Sequence, residues 1–245
     1  MLSPKPWQPD RVLRAGLWLL ISVASGSLLI SWLFPGAAGQ AGGAPKLGAV
    51  LVGVLAFHGV AAVLVWRLLR EHRLGWREAF GVRASSLLGT GVLTLTVTLL
   101  TLPVAFGLGH VSALVLQQFQ VTPVPQQAVR AVEASTTVAE QIVLGVFAVV
   151  VAPVVEECVF RGILYPTIKQ LGYPRLALWG TALFFGMVHA NAMSFVPLTF
   201  FALVLTWLYE VTDNLLAPIL AHSLFNGLNF LLLLSTLRFA PLPGQ

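Results

Sequence analysis

Few residues in this chain can do chemistry, and they lie far apart in the sequence. They are Glu156 and Glu157 with Arg161, then His189, then His222 with Asn226, and the isolated His58. Each falls in an otherwise apolar stretch. Ionisable groups in such a setting are costly and usually face a bundle interior, where they carry a function. Glu157 and Arg161 are four residues apart, so on a helix they share a face and can pair. Phe185 and His189 have the same spacing, as do His222 and Asn226. A carboxylate in an apolar cleft can serve as general base for water. Two histidines and a glutamate can hold a divalent metal such as zinc, or the histidines can orient water with no metal. An asparagine amide can donate to a developing oxyanion. Both water-activation schemes are open on these residues alone.

Adjacent helical positions diverge, so Glu156 and Glu157 cannot both face one point. One is expected in the cavity, with the other held by a structural partner. Glu156 lies sixteen residues before Gly172, and His189 lies fifteen after Pro174. A helical hairpin turning at Gly172-Tyr173-Pro174 therefore sets the carboxylate pair and the imidazole at nearly equal depth. His222 matches that depth less well, which calls for a tilted last helix or a cleft open to water.

The elements that must position these groups follow from composition. Of 245 residues, 57% belong to the AVILMFWYC set and only 9% are charged, 14 Lys+Arg against 9 Asp+Glu. Mean hydropathy is +0.87. A soluble domain carries about 25% charged residues, so this is an integral membrane protein. No Asp, Glu, Lys or Arg occurs between Arg14 and Lys46, Lys46 and Arg67, Arg83 and Arg130, Glu140 and Glu156, Arg175 and Glu210, or Asp213 and Arg238. A helix needs about 20 mostly apolar residues to cross hydrocarbon, whereas a barrel would show short alternating segments. The fold class is all-α, a polytopic transmembrane helical bundle filling residues 1–245 as one membrane domain.

Seven passes are expected, at about 12–34, 47–70, 85–108, 138–169, 175–190, 195–210 and 214–236. Eight result if the polar stretch or the fourth span splits. Pro35-Gly36 and Gly39 to Pro45 mark a turn, Pro103 a kink, and Pro153 a bend or break. A polar stretch from His110 to Thr137 contains Pro123 and Pro125, and its part from Gln126 to Glu140 reads as one short amphipathic helix. The run from Ala15 to Phe34 has the look of a signal sequence with Ala38 near a cleavage point, but its length favours an uncleaved anchor. Arg67, Arg70, Arg73, Arg77 and Arg83, the basic N-terminus, and Lys169 with Arg175 place these loops and the N-terminus in the cytosol by the positive-inside bias. The net charge of +5 is thus a topology signal, with no nucleic-acid partner implied.

Other residues carry plainer readings. His58 reads as a helix-contact or interface histidine, and His110 as a solvated loop residue. The single cysteine, Cys158, excludes an internal disulfide and reads as inert packing. Trp7, Trp32, Trp66, Trp76 and Trp207 read as interface anchors.

Glu156-Glu157-Cys158-Val159-Phe160-Arg161 resembles the EExxxR motif of the CPBP family of intramembrane proteases (CAAX protease and bacteriocin-processing, or Abi). Phe185 to His189 resembles its FxxxH motif, and His222 to Asn226 its HxxxN motif. The three stand in family order, and the resemblance covers about 140–230. It implies an intramembrane endopeptidase, of the kind that trims prenylated CAAX proteins or of related bacterial kinds, acting on a peptide or protein substrate at the bilayer. It further implies Glu156 as the water-activating residue, His189 and His222 as its catalytic partners, and Asn226 as oxyanion stabiliser. Glu157, Arg161 and Phe185 become supporting residues. A metal through Glu156, His189 and His222, or none, fits the resemblance. Multi-pass residence in the plasma membrane is expected. Two other classes survive: a catalytically silent immunity or assembly partner of the same family, and a proton-coupled transporter.

Overall fold

The computed structural model describes residues 2–35, 46–82 and 87–239. Gly36, Ala38, Arg83 and the Gly39–Pro45 turn lie outside the described residues. Among the described residues every regular element is helical, as lipid demands of a backbone that must satisfy its own polar groups. The order is α1 (Pro9–Leu33), α2 (Leu47–Glu71), α3 (Trp76–Phe80), α4 (Leu88–Gln118), α5 (Gln127–Glu133), α6 (Val138–Gln170), α7 (Pro174–Val188), α8 (Ala192–Thr212) and α9 (Leu216–Arg238). Six of these, α1, α2, α4, α6, α8 and α9, are long and apolar enough to cross a membrane by length and composition. This is a multi-pass membrane protein. The fifth expected span is the 15-residue α7, which is short of the usual crossing length.

Helix α6 is the axis of the bundle. It packs against α7, α9 and α2, while α8 packs against α7, α4 and α9. Helix α1 leans on α2 at the periphery, with 6% of its apolar window buried against 44% for α8. Arg161 and Phe160 of α6 and Phe201, Leu205, Leu208 and Tyr209 of α8 are fully covered, as are Phe80 of α3 and Phe185 of α7.

Pro153 does not break α6. The helix widens into π turns at Phe147–Val151 and again at Cys158–Leu164, and Pro153 and Pro166 each stand at the second position after one ends. Proline lacks an N–H and crowds the preceding turn, and a widened turn accommodates both defects. A third π segment, Leu55–Gly59, sits in α2. Such segments gather at functional sites, and these hold His58 and Arg161 or flank Glu156 and Glu157.

Three other expectations change. Helix α4 does not stop near 108: it runs through Pro103 to Gln118 and carries His110 on an exposed face. Val111, Leu114 and Val115 prolong its apolar character, and the turn comes at Gln120, with φ +58. The expected helix from Gln126 to Glu140 is split after Glu133 by a capping box. The Thr137 hydroxyl accepts the Glu140 N–H, while the Glu140 carboxylate accepts the Thr136 and Thr137 N–H groups, and these three satisfied donors restart the helix at Val138. Trp7 is no interface anchor. It is 5% exposed, and its indole N–H donates to the Gly162 carbonyl at 2.6 Å. Trp32, Trp66, Trp76 and Trp207 are exposed.

One end of the bundle is tied by the N-terminal segment. The Lys5 ammonium meets Asp213 at 2.8 Å, and the Lys5 backbone exchanges two 2.8 Å hydrogen bonds with the Gln170 amide. Arg11 reaches Glu71 at the end of α2, and Lys169 and Tyr165 both donate to Glu210. At the opposite end Asn191 caps α8 by accepting the Ser194 N–H and donates to the Val124 carbonyl. Helix α7 thus carries the chain from one end to the other. Its start needs the Gly172 backbone at φ +93, a left-handed conformation natural to glycine, followed by proline in the first turn.

Candidate active site

Glu156 and Glu157 sit on α6 between two widened turns, and they divide as their divergence requires. Glu157 is fully buried. Its Oε1 accepts the Arg161 guanidinium at 2.9 Å and the Nδ1–H of His222 at 2.8 Å. Arg161 also donates to the Ala202 carbonyl on α8 at 3.1 Å and lies over the face of Phe185, 4.5 Å from the ring centroid. The buried charge is thus paired and further hydrogen-bonded, which a buried ion pair requires. Its wider effect is to lock α6, α7, α8 and α9 around one carboxylate.

Glu156 faces the other way. Its Oε1 accepts the Nε2–H of His58 at 3.0 Å. Its Oε2 lies 3.9 Å from His222 Nε2 and has no protein hydrogen-bond donor among the described residues. His222 therefore spans both glutamates, with one nitrogen bonded to Glu157 and the other turned toward Glu156.

His189 ends α7. Its Nδ1–H donates to the Phe185 carbonyl at 2.7 Å, so Nε2 carries the lone pair. The ring is half-buried and is an electrostatic neighbour of Glu156. Phe185, itself fully buried, stands between the histidines, with centroids 4.9 Å from His189 and 5.8 Å from His222. Phe201 closes the far side of His222 at 5.5 Å. Both imidazoles are thereby held in one tautomer by an acceptor on Nδ1 and in one orientation by aromatic walls.

Asn226, one turn beyond His222, donates to the Ala148 carbonyl at 2.9 Å. Ala148 lies in the first π segment of α6, so this amide ties α9 to the widened turn. Its second N–H remains to it as a donor.

The structure brings together Glu156, Glu157, Arg161, Phe185, His189 and His222, and sets Asn226 on the same face of α9. It also adds His58, which the sequence reading left outside. The one cue was an ionisable side chain in a hydrophobic span. Cys158 is buried in the core with Tyr209 and Leu215. Among the described residues no three His, Cys, Asp or Glu side chains converge to hold a metal ion.

Residues 138–228 match the family model described as Type II CAAX prenyl endopeptidase Rce1-like. This segment belongs to the CAAX protease/Abi family. It contains Glu156, Glu157, Arg161, Phe185, His189, His222 and Asn226; His58, from α2, lies outside it. No curated protein and no solved structure matches the chain significantly. The CAAX protease-like segment spans α6 to most of α9, so the Glu157 lock and the Glu156 face both belong to it.

Proposed function

We propose that the protein is an intramembrane endopeptidase that hydrolyses a peptide bond of a membrane-associated substrate with water activated by Glu156. One observation carries this reading. Glu156 holds one oxygen on His58 and turns the other, without a protein donor, toward His222 Nε2 at 3.9 Å. A water between these two acceptors donates to both.

As the water oxygen attacks the substrate carbonyl carbon, Glu156 Oε2 takes its proton. The C–N bond then breaks, and the proton passes from Glu156 to the leaving nitrogen. His222 orients the water, with Glu157 fixing its Nδ1–H. His189 borders the site with its Nε2, and the second N–H of Asn226 meets the charge developing on the carbonyl oxygen. Preorganised donors of this kind are the largest usual source of rate enhancement in acyl transfer.

The single membrane unit 1–245, with its catalytic core at about 140–230, sits in the plasma membrane with the N-terminus cytosolic. The cluster of Arg67, Arg70, Arg73 and Arg77 supports this orientation. So does the gathering of the N-terminus, Gln170 and Asp213 at one end. Helix α7, about 22 Å long at 1.5 Å per residue, serves as a seventh, short pass between the two ends.

The test is cleavage by purified protein in mild detergent, wild type against E156Q, with farnesylated CAAX peptides and membrane leader peptides as substrates. Wild-type cleavage should fall by about 10²–10⁴-fold in E156Q with the fold retained. A folded E156Q protein that still cleaves would sink the assignment. A folded wild type that cleaves nothing would move weight to a silent partner role.

A further inference from the structure

We infer that His58 is a positioning residue for Glu156, supplied from outside the family-matched segment; the inference rests on the reading of Glu156 as the base. Several independent features converge on this ring. It sits in the π segment Leu55–Gly59 of α2, which packs against α6 and α1. Phe57 and Phe147 meet it edge-on from two sides, each with a centroid 4.8 Å away and planes at 78° and 87°. Helix α1 backs the widened turn closely: the Ser22 hydroxyl donates to the Ala56 carbonyl at 2.8 Å. A Cβ on Gly26 would stand 2.5 Å from the Ala56 Cβ. The imidazole thus has little freedom, and its Nε2–H points at Glu156 Oε1 at 3.0 Å with both side chains largely buried.

A carboxylate free to rotate would present either oxygen to water, or neither. Holding Oε1 on His58 fixes the carboxylate plane and turns Oε2 to His222. The same bond satisfies one acceptor that would otherwise be buried alone, so a purely structural role must be separated from positioning. What distinguishes them is the donor: positioning needs an N–H at this place, whereas filling space needs only the ring.

The experiment compares wild type, H58F, H58Q and E156Q, as full chains in mild detergent, on a farnesylated CAAX peptide and a membrane leader peptide. Phenylalanine keeps the ring without the donor, and glutamine restores an N–H at nearly the Nε2 position. H58F should lose about 10²-fold in kcat, the cost of a slight misplacement of a reacting group, with KM near wild type and a melting temperature lowered by the buried acceptor it leaves unpaired. H58Q should recover most of that loss. Full activity in H58F with a dead E156Q overturns the inference and leaves the protease reading standing. Equal loss in folded H58F and H58Q also overturns it, because the donor is then irrelevant. An active E156Q removes the reading on which it rests. Independently of turnover, nitrogen NMR of isotope-labelled histidine, with the His58 signal identified by its absence in H58Q, should show the Nε2–H tautomer in wild type. A fixed Nδ1–H tautomer would contradict the bond itself.

Discussion

His222 and Glu157 are joined by a 2.8 Å hydrogen bond although 65 residues separate them. The oxygen that accepts it also accepts Arg161. The second glutamate of the pair is therefore the anchor of the imidazole, and the first is left to face the site. That division gives the two carboxylates different mutational signatures.

Arg161→Ala should destabilise the fold rather than act on chemistry alone. Arg161 is 1% exposed, and loss of its guanidinium leaves the Glu157 carboxylate buried with only His222 beside it. Breaking a buried pair in this way costs about 3–5 kcal/mol. Thermal unfolding in detergent should show a large drop for R161A and almost none for E156Q. A variant R161A that melts with wild type would contradict the lock.

The contact of α7 with α8 sets where His189 stands. A Cβ on Gly186 would lie 2.5 Å from Thr199 Oγ1 and 2.9 Å from the Phe195 carbonyl oxygen, whereas one on Gly227 meets nothing nearer than 3.5 Å. Because a backbone atom cannot swing aside, Gly186→Ala must push α7 away, at about 1–3 kcal/mol for such overpacking. The measured outcome should be lower stability and lower cleavage in G186A, against near wild-type behaviour in G227A. Equal behaviour of the two would refute the close approach.

At the tied end of the bundle, Asp213 accepts from the Lys5 ammonium at 2.8 Å and from Ser3. Burial acts to raise its carboxyl, but the Lys5 and Ser3 hydrogen bonds outweigh it and hold the group below the usual aspartate range. A group whose folded value is depressed adds stability that is complete above its unfolded value, about 3.9, and is lost as pH falls through the folded one. Asp213→Asn should therefore lower the melting temperature at neutral pH. The gap to wild type should close as pH falls below about 4. A gap unchanged over that range would count against the assignment.

The start of α6 depends on the Thr137 and Glu140 capping box. Thr137→Ala should cost about 1 kcal/mol, read as a modest drop in melting temperature with unchanged cleavage per folded molecule. No change in stability would mean that packing alone holds this helix start.

Much of the site was legible because it is local. The spacing of Glu157 with Arg161 sets a pair on one turn, and the pair forms. Phe185 and His189, equally spaced, meet through the Phe185 carbonyl and the two rings. The membrane class, the Val138 start of α6 and the hairpin at Gly172 follow from charge gaps and turn residues whose effects reach only a few positions. The short α7, the prolonged α4 and the two-piece Gln126–Glu140 region depended on how far each helix could continue, which caps and neighbours decide.

The sequence by itself determined that the chain lives in lipid and which few polar groups must therefore turn inward, since burying ionisable side chains in hydrocarbon is costly wherever the helices lie. Only the tertiary structure decided which of them meet. His58 joins Glu156 across 98 residues because widened turns change the rotational phase of α2 and α6, and no fixed helical period predicts that phase. Likewise the partner of Trp7 is a carbonyl 155 residues away, on the buried Gly162 of a π segment that no local spacing announces.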